Sequence, residues 1–381
     1  MNTDTKVYLK KRFKEYYFRN RVDSPMDVHR REFGVGTLED KIRFRHKSFT
    51  SGRELTQYLK TEAPYYISYS SAYYEFPENQ PMQRKNWLGA DLVFDLDKPM
   101  DLLDHGKLED VKEEAKCIVG FLEDDFGFTG KEIKVNFSGS KGYHIHVISD
   151  DVRSLNGEAR REIIDYITGT GLDIEYFITE EETMRGITFK RGQSKGTAGR
   201  RIGPRKDSRG WARRIYDVAE ELIAMPAEEL VNIKGIGATT AEKHAADREM
   251  NLRFLREGRW DALFDRLKGP IQNLIYSKAV EIKDADKQVT LDTSRLIRLP
   301  DTIHGGSGLL ARKVKDIDSF NPLMDAIAFK DGEVTARITS DVGTWTMMEN
   351  RYGPYNAGEE VKLPEYAANY LMLKDYAEFR G

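Results

Sequence analysis

The sequence predicts an α+β fold, a core of mixed β-sheets flanked by helices and interrupted by a helical insertion. The first sign is Gly89-Ala-Asp-Leu-Val-Phe-Asp-Leu-Asp97, in which Leu92, Val93, Phe94 and Leu96 read as a buried strand of strong β-formers. The second is Val135–His146, two short strand-like runs around a Ser-Gly-Ser-Lys-Gly turn. The third is helical periodicity in several segments, among them Asp110–Leu122, Arg160–Ile167 and Ile215–Ile223.

Taken in order, Thr5–Tyr17 reads as a charged helix and Gly52–Lys60 as a second, with Arg30-Arg-Glu-Phe-Gly34 between them. Tyr65–Phe76 is aromatic-rich and extended. Pro77–Trp87 is a polar connector into the Asp95 strand, which Pro99 ends. Helix 110–122 is punctuated by Gly127 and Gly130, and strands follow at Glu132–Phe137 and Tyr143–Ile148. Trp260–Ile275 reads as a further helix, and the core pattern returns at Val280–Leu299. Val334–Ile338 and Thr344–Met348 are strand-like, and Pro364–Tyr376 closes as a helix. These elements divide into a core from residues 1–150 and 275–381, with an insertion at 151–274 that carries a basic loop at 190–214.

With 39% hydrophobic and 32% charged residues, the 381-residue chain has a globular composition. No apolar run reaches the roughly 18 residues that a membrane-spanning helix needs. The polar start, Met1-Asn-Thr-Asp-Thr-Lys, lacks a signal-peptide core, and the single Cys117 excludes an internal disulfide framework, so a cytoplasmic location is expected. It also excludes a zinc site built on two or more cysteines of this chain. A net charge of −3 excludes a uniformly basic surface, yet Lys190–Arg214 holds ten basic residues against Asp207 alone. Interleaved glycines make that segment a loop suited to a polyanion, with Lys195, Arg200 and Arg201 as candidate nucleic-acid contacts. Ile233–Lys243 resembles a helix-hairpin-helix turn, but with no second hairpin evident it reads as a helix corner.

The chemistry starts from Asp95 and Asp97. Alternate strand residues share a face, so the two carboxylates stand side by side and repel unless a cation lies between them. Mg²⁺ favours such oxygen pairs together with substrate phosphates, which makes the pair half of a two-metal phosphoryl-transfer site. The turn Ser138-Gly-Ser-Lys-Gly142 offers close backbone approach and the donors Ser138, Ser140 and Lys141 to an anion, with His144 and His146 on one face of the next strand. Farther on, Asp286 and Asp292 precede Arg295 and Arg298, whose guanidinium forks suit phosphate oxygens. Pro300-Asp-Thr-Ile-His304-Gly-Gly-Ser-Gly308 is a turn that could aim His304 at the same anion.

Three blocks carry a resemblance: Glu75–Pro81 through Asp95-Leu-Asp97, Ser138–His144, and Arg295-Leu-Ile-Arg-Leu-Pro-Asp-Thr-Ile-His304-Gly. Together they resemble the catalytic small subunits of archaeal DNA primase, in the archaeo-eukaryotic primase family, and run in the same order over nearly the whole chain. The resemblance implies template-directed nucleotidyl transfer that starts primers de novo for replication. A primase-like repair polymerase that extends ends or fills gaps is the alternative. It further implies that Asp95, Asp97 and a third acid hold Mg²⁺ or Mn²⁺. The family's spacing to the histidine of the last block selects Asp286 for that role, with Asp292 as the fallback. Ser138, Ser140, Lys141 and His144 match the nucleotide-phosphate loop, and Arg298 and His304 match the second phosphate-contacting block. The implied partners are a primase large subunit, a single-stranded DNA template and nucleoside triphosphates.

Two departures stand out. Many relatives place a basic residue where this chain has Gly306, so one triphosphate contact is either absent or supplied by Arg312 or Lys313. Relatives also often carry a Cys/His zinc knuckle after the acidic strand, where only His105 and Cys117 stand here, so no structural zinc is expected.

Overall fold

The computed structural model describes residues 1–181, 200–261 and 286–381. Lys195, the first part of the basic loop, the 262–275 stretch of the expected helix and residues 280–285 lie outside the described residues. The fold is mixed α+β, and the described residues fall into two compact units. One comprises 1–123, 128–164 and 286–381; the other comprises 124–127, 165–181 and 200–261.

The first unit holds two four-stranded antiparallel sheets. One runs, in spatial order, Arg312–Val314, Ile133–Phe137, Gly142–Val147 and Leu92–Asp97. Its register sets Asp95 opposite His144, Asp97 opposite Gly142 and Val93 opposite His146. Gly142 is required by this pairing, since a Cβ there would lie 1.6 Å from the Leu96 carbonyl oxygen. The other sheet runs Leu296–Arg298, Tyr66–Ser70, Phe33–Gly36 and Phe44–Lys47, so that residues near opposite ends of the chain pair directly. A three-stranded sheet, Glu360–Pro364, Glu333–Ile338 and Ala377–Phe379, completes the C-terminal part.

Helices form where apolar spacing and caps agree. Helix Thr3–Arg19 is capped by Asn2, whose side chain accepts from the Thr5 N–H, and buries Leu9, Phe13, Tyr16 and Tyr17 at helical spacing. Ser51 caps Gly52–Glu62, which buries Leu55 and Leu59. The closing helix, Glu365–Leu373, ends before the expected Tyr376 because Asp375 turns left-handed (φ 61°) into the strand Ala377–Phe379.

The entry to the Asp95 strand is pinned by buried charge. Arg31 Nη2 lies 2.8 Å from Asp91 Oδ2, with the pair almost fully buried, and Tyr73 donates to the other Asp91 oxygen. Arg160 donates to the carbonyl oxygens of Ala90 and Asp91. That buried arginine explains why the first unit runs on to Ile164, past the residue-151 boundary read from sequence.

The second unit packs helix Gly210–Ala224 with Ala238–Ala246 and Arg248–Arg256 around Ile215, Tyr216, Leu222, Leu255 and Trp260. The Trp260 indole donates to the Pro204 carbonyl. Ile233–Gly237 is the corner between helices Ala227–Leu230 and Ala238–Ala246. Its basic segment differs from the expected open loop. Arg200–Ile202 is a strand paired with Thr179–Glu181, and Gly210 opens a helix. There Arg213 pairs with Asp217 one turn on, and Arg214 with Asp125. The acids that neutralise these arginines lie outside the window read from sequence, so its excess charge overstated what stands free.

Candidate active site

Asp95 and Asp97 project from one face of the last strand of their sheet among the described residues, while Phe94 and Leu96 are buried on the other. At the start of that strand Val93 is covered by Val289 and Ile297. This packing seats the short helix Lys287–Leu291 over the strand. The helix's N-cap, Asp286, then donates its backbone N–H to the Asp95 carbonyl oxygen at 2.8 Å. Two acids 191 positions apart in number (95 and 286) thus meet through the backbone. The Asp286 side chain accepts from the Gln288 N–H and caps its own helix. Asp292 turns elsewhere, accepting from the N–H and hydroxyl of Ser294.

His144 Nε2 lies 3.3 Å from Asp95 Oδ1. Burial alone would raise the Asp95 pKa; His144, followed by Arg295 and His146, more than offsets it, so Asp95 titrates below the usual carboxylate range. Asp97, whose carboxylate reaches solvent, is pushed up to about 6, first by the protein packed around it and then by the Asp95 charge. His146 shares the face but is buried against the Tyr69 ring, with neither ring nitrogen hydrogen-bonded among the described residues. It is therefore a core residue rather than part of a polar face.

The glycine turn and the His304 turn are in contact. A Cβ at Gly139 would lie 2.9 Å from the His304 Cβ, and the Ser307 hydroxyl donates to the Gly139 carbonyl. The Ser138 hydroxyl oxygen accepts from the N–H groups of Ser140, Lys141 and Gly142, which shapes the turn and leaves its own hydrogen to donate outward. His304 accepts from the Gly306 N–H at Nδ1, which assigns its proton to Nε2. Burial, then Arg298 and nearby lysines, hold its pKa well below the usual value, so it is a neutral donor. Arg298, in register with Ser68, places its guanidinium over the Tyr66 ring at 4.8 Å, and Tyr66 meets His304 edge-on. Burial lowers the Arg298 pKa to about 10, which leaves it charged at neutral pH.

Asp95, Asp97, Asp286, Ser138, Ser140, Lys141, His144, Arg298 and His304 thus all belong to the first unit, on neighbouring or touching elements. Arg200 and Arg201 belong to the second unit, where Arg201 pairs with Glu180 at 3.3 Å. Arg312 and Lys313 do not stand free to serve a phosphate: both pair with Asp301, and Lys313 also with Asp23. Sequence reading missed Lys41 and Lys374, whose charges act on His304; nothing in their local sequence singles them out.

The acidic pair fits a divalent cation on two observations. Asp95 Oδ1 is buried with His144 Nε2 at 3.3 Å and no well-aligned hydrogen bond among the described residues, and Asp97 is raised partly by its neighbour's charge, so a cation between them would relieve both. Among the described residues no three His, Cys, Asp or Glu side chains gather closely enough to hold an ion by themselves. Mg²⁺ ordinarily completes its shell with water and substrate phosphates, which suits a two-carboxylate site.

The family model described as DNA primase small subunit matches residues 94–316. The DNA primase small subunit PriS of Methanothrix thermoacetophila is 37% identical, across 99% of this chain and all of the relative. That of Methanococcoides burtonii is 35% identical over the full length of both. The Archaeoglobus fulgidus protein is 34% identical, covering 98% of this chain and 99% of its own.

Proposed function

The chain belongs to the DNA primase small-subunit family, and from that premise we propose that it starts primers de novo on single-stranded DNA by nucleotidyl transfer. One observation carries the reading: an acidic pair on a strand edge faces a glycine turn that touches the His304 turn, so metal-type and phosphate-type groups share one site. Bound Mg²⁺ or Mn²⁺ would activate the attacking hydroxyl and neutralise the pyrophosphate leaving group. Asp95 and Asp97 would hold the cations, with Asp286 contributing its carboxylate once released from its cap. Lys141, Arg298 and the His304 Nε2–H balance and orient the triphosphate, and His144 fixes the Asp95 carboxylate. A primase large subunit is the partner that family membership suggests.

The test is synthesis from labelled nucleoside triphosphates on an unprimed single-stranded template, with and without the large subunit. Wild-type protein is expected to make short products with Mg²⁺ or Mn²⁺. Asp95→Asn should lose activity by about 10²-fold or more while unfolding at a similar temperature. Activity confined to primed or gapped templates would favour the repair-polymerase alternative. Near-wild-type synthesis by Asp95→Asn would remove the carboxylate from the mechanism.

A further inference from the structure

Three lysines from distant segments converge beside the His304 turn. Lys141 lies on the glycine turn, its carbonyl accepting from the Lys98 N–H, just past Asp97. Lys374 follows the closing helix Glu365–Leu373, whose Leu373 side chain would lie 3.2 Å from a Cβ at Gly308. Its ammonium donates to the Asp101 carbonyl oxygen at 2.7 Å. Lys41 lies between the strands Phe33–Gly36 and Phe44–Lys47, and its carbonyl oxygen would be 2.3 Å from a Cβ at Gly36. Gly36 pairs with Tyr66, the ring that meets His304.

Their charges act on one another and on the site. Lys374 is lowered, by burial first, then by Lys141 and, more weakly, Lys41, although Asp101 opposes the shift. Lys41 and Lys374 both contribute to the low His304 pKa, behind burial and Arg298, and Lys41 and Lys141 favour the ionised Asp97. Among the described residues no carboxylate forms an ion pair with any of the three; the Asp101 carboxylate accepts instead from the Tyr376 hydroxyl. The nearby turn supplies no cation of its own. A Cβ at Gly306 would lie 2.9 Å from the Tyr66 hydroxyl, so a side chain there would require the tip of that ring to shift. Like charges gathered with no carboxylate ion-paired to them among the described residues raise the energy of the empty site and lower that of one holding a polyanion.

We propose that Lys41 and Lys374 join Lys141 in a three-sided clamp on the polyphosphate tail of the nucleoside triphosphate, setting the preference for triphosphate over monophosphate. The inference rests on the nucleotide-transfer reading of this site. Lys41→Gln, Lys374→Gln and the double variant of the full chain are tested by equilibrium binding of ATP and AMP with Mg²⁺, with thermal unfolding in parallel. Each substitution is expected to weaken ATP binding by about tenfold, the usual scale of a charge-assisted hydrogen bond to phosphate. AMP binding should stay unchanged, and Lys→Arg variants should keep most of the ATP affinity. Double-variant ATP binding within about twofold of wild type would overturn the clamp, since removing two such charge-assisted bonds costs more. An equal loss of AMP binding would overturn it too, by showing a merely structural role. A wild-type protein that fails to prefer ATP over AMP would instead overturn the nucleotide reading itself, and the clamp with it.

Discussion

His144 and His146 stand two residues apart on one strand face and meet different surroundings. His144 faces Asp95, whereas His146 is buried on Tyr69 with its pKa lowered to about 3, chiefly by burial. Its unfolded value lies near 6.5, so below that pH the unfolded chain takes up a proton that the folded chain refuses. The stability is complete above about 6.5 and declines as the pH falls toward 3. We expect a loss of roughly 2 kcal/mol between pH 6.5 and 5 from this residue, at about 1.4 kcal/mol per pH unit. His146→Phe should flatten that slope in denaturant titrations, and an unchanged slope would assign it to other groups. Alternation correctly placed both histidines on one face, but how deeply each is buried depends on Tyr69, from the other four-stranded sheet, which no local pattern reports.

Among the elements, the strand pair Leu92–Asp97 and Gly142–Val147 carries the site, and Gly142 sets how closely the two approach. Gly142→Ala should cost about 1–3 kcal/mol or more through overpacking and depress primer synthesis disproportionately, because Asp97 lies directly across. Gly120→Ala, in helix His105–Asp124 with no atom from outside its own stretch of helix within 4 Å of the new methyl among the described residues, should be neutral or stabilising by up to about 1 kcal/mol. Equal effects in chemical denaturation would refute the argument from close approach. The acidic strand and the strands after it were legible from β-formers in short runs. The five-residue helix that brings Asp286 to Asp95 was not, because it is too short to show periodicity and is held by Val289 and Ile297 on Val93. Family spacing, not local pattern, selected Asp286 over Asp292.

On the scale of the whole molecule, a net charge of −3 conceals a division of labour between lysines and arginines at the first unit's site and arginines in the second unit. Several of the latter are paired, as Arg201–Glu180, Arg213–Asp217 and Arg214–Asp125 show, so composition alone overestimated the free charge. Reversing Lys195, Arg200 and Arg201 to glutamate should weaken binding to single-stranded DNA. It should also make its salt dependence shallower by about 0.7 for each phosphate no longer neutralised, with ATP binding intact. An unchanged slope would place the template elsewhere. The α+β class could be read in advance because it needs only local runs, whereas the place of the Arg160 segment in the first unit goes with long-range contacts such as the Arg160 bonds to the Ala90 and Asp91 carbonyls.

The backbone link from Asp286 to Asp95 also bears on self-association. The acidic strand is the last in its sheet among the described residues, and such a border ordinarily invites a strand from another molecule. Here one carbonyl is already taken, a helix covers Val93, and two negative charges line the remaining stretch. The same arrangement that sets two carboxylates side by side thereby disfavours edge-to-edge pairing with another molecule.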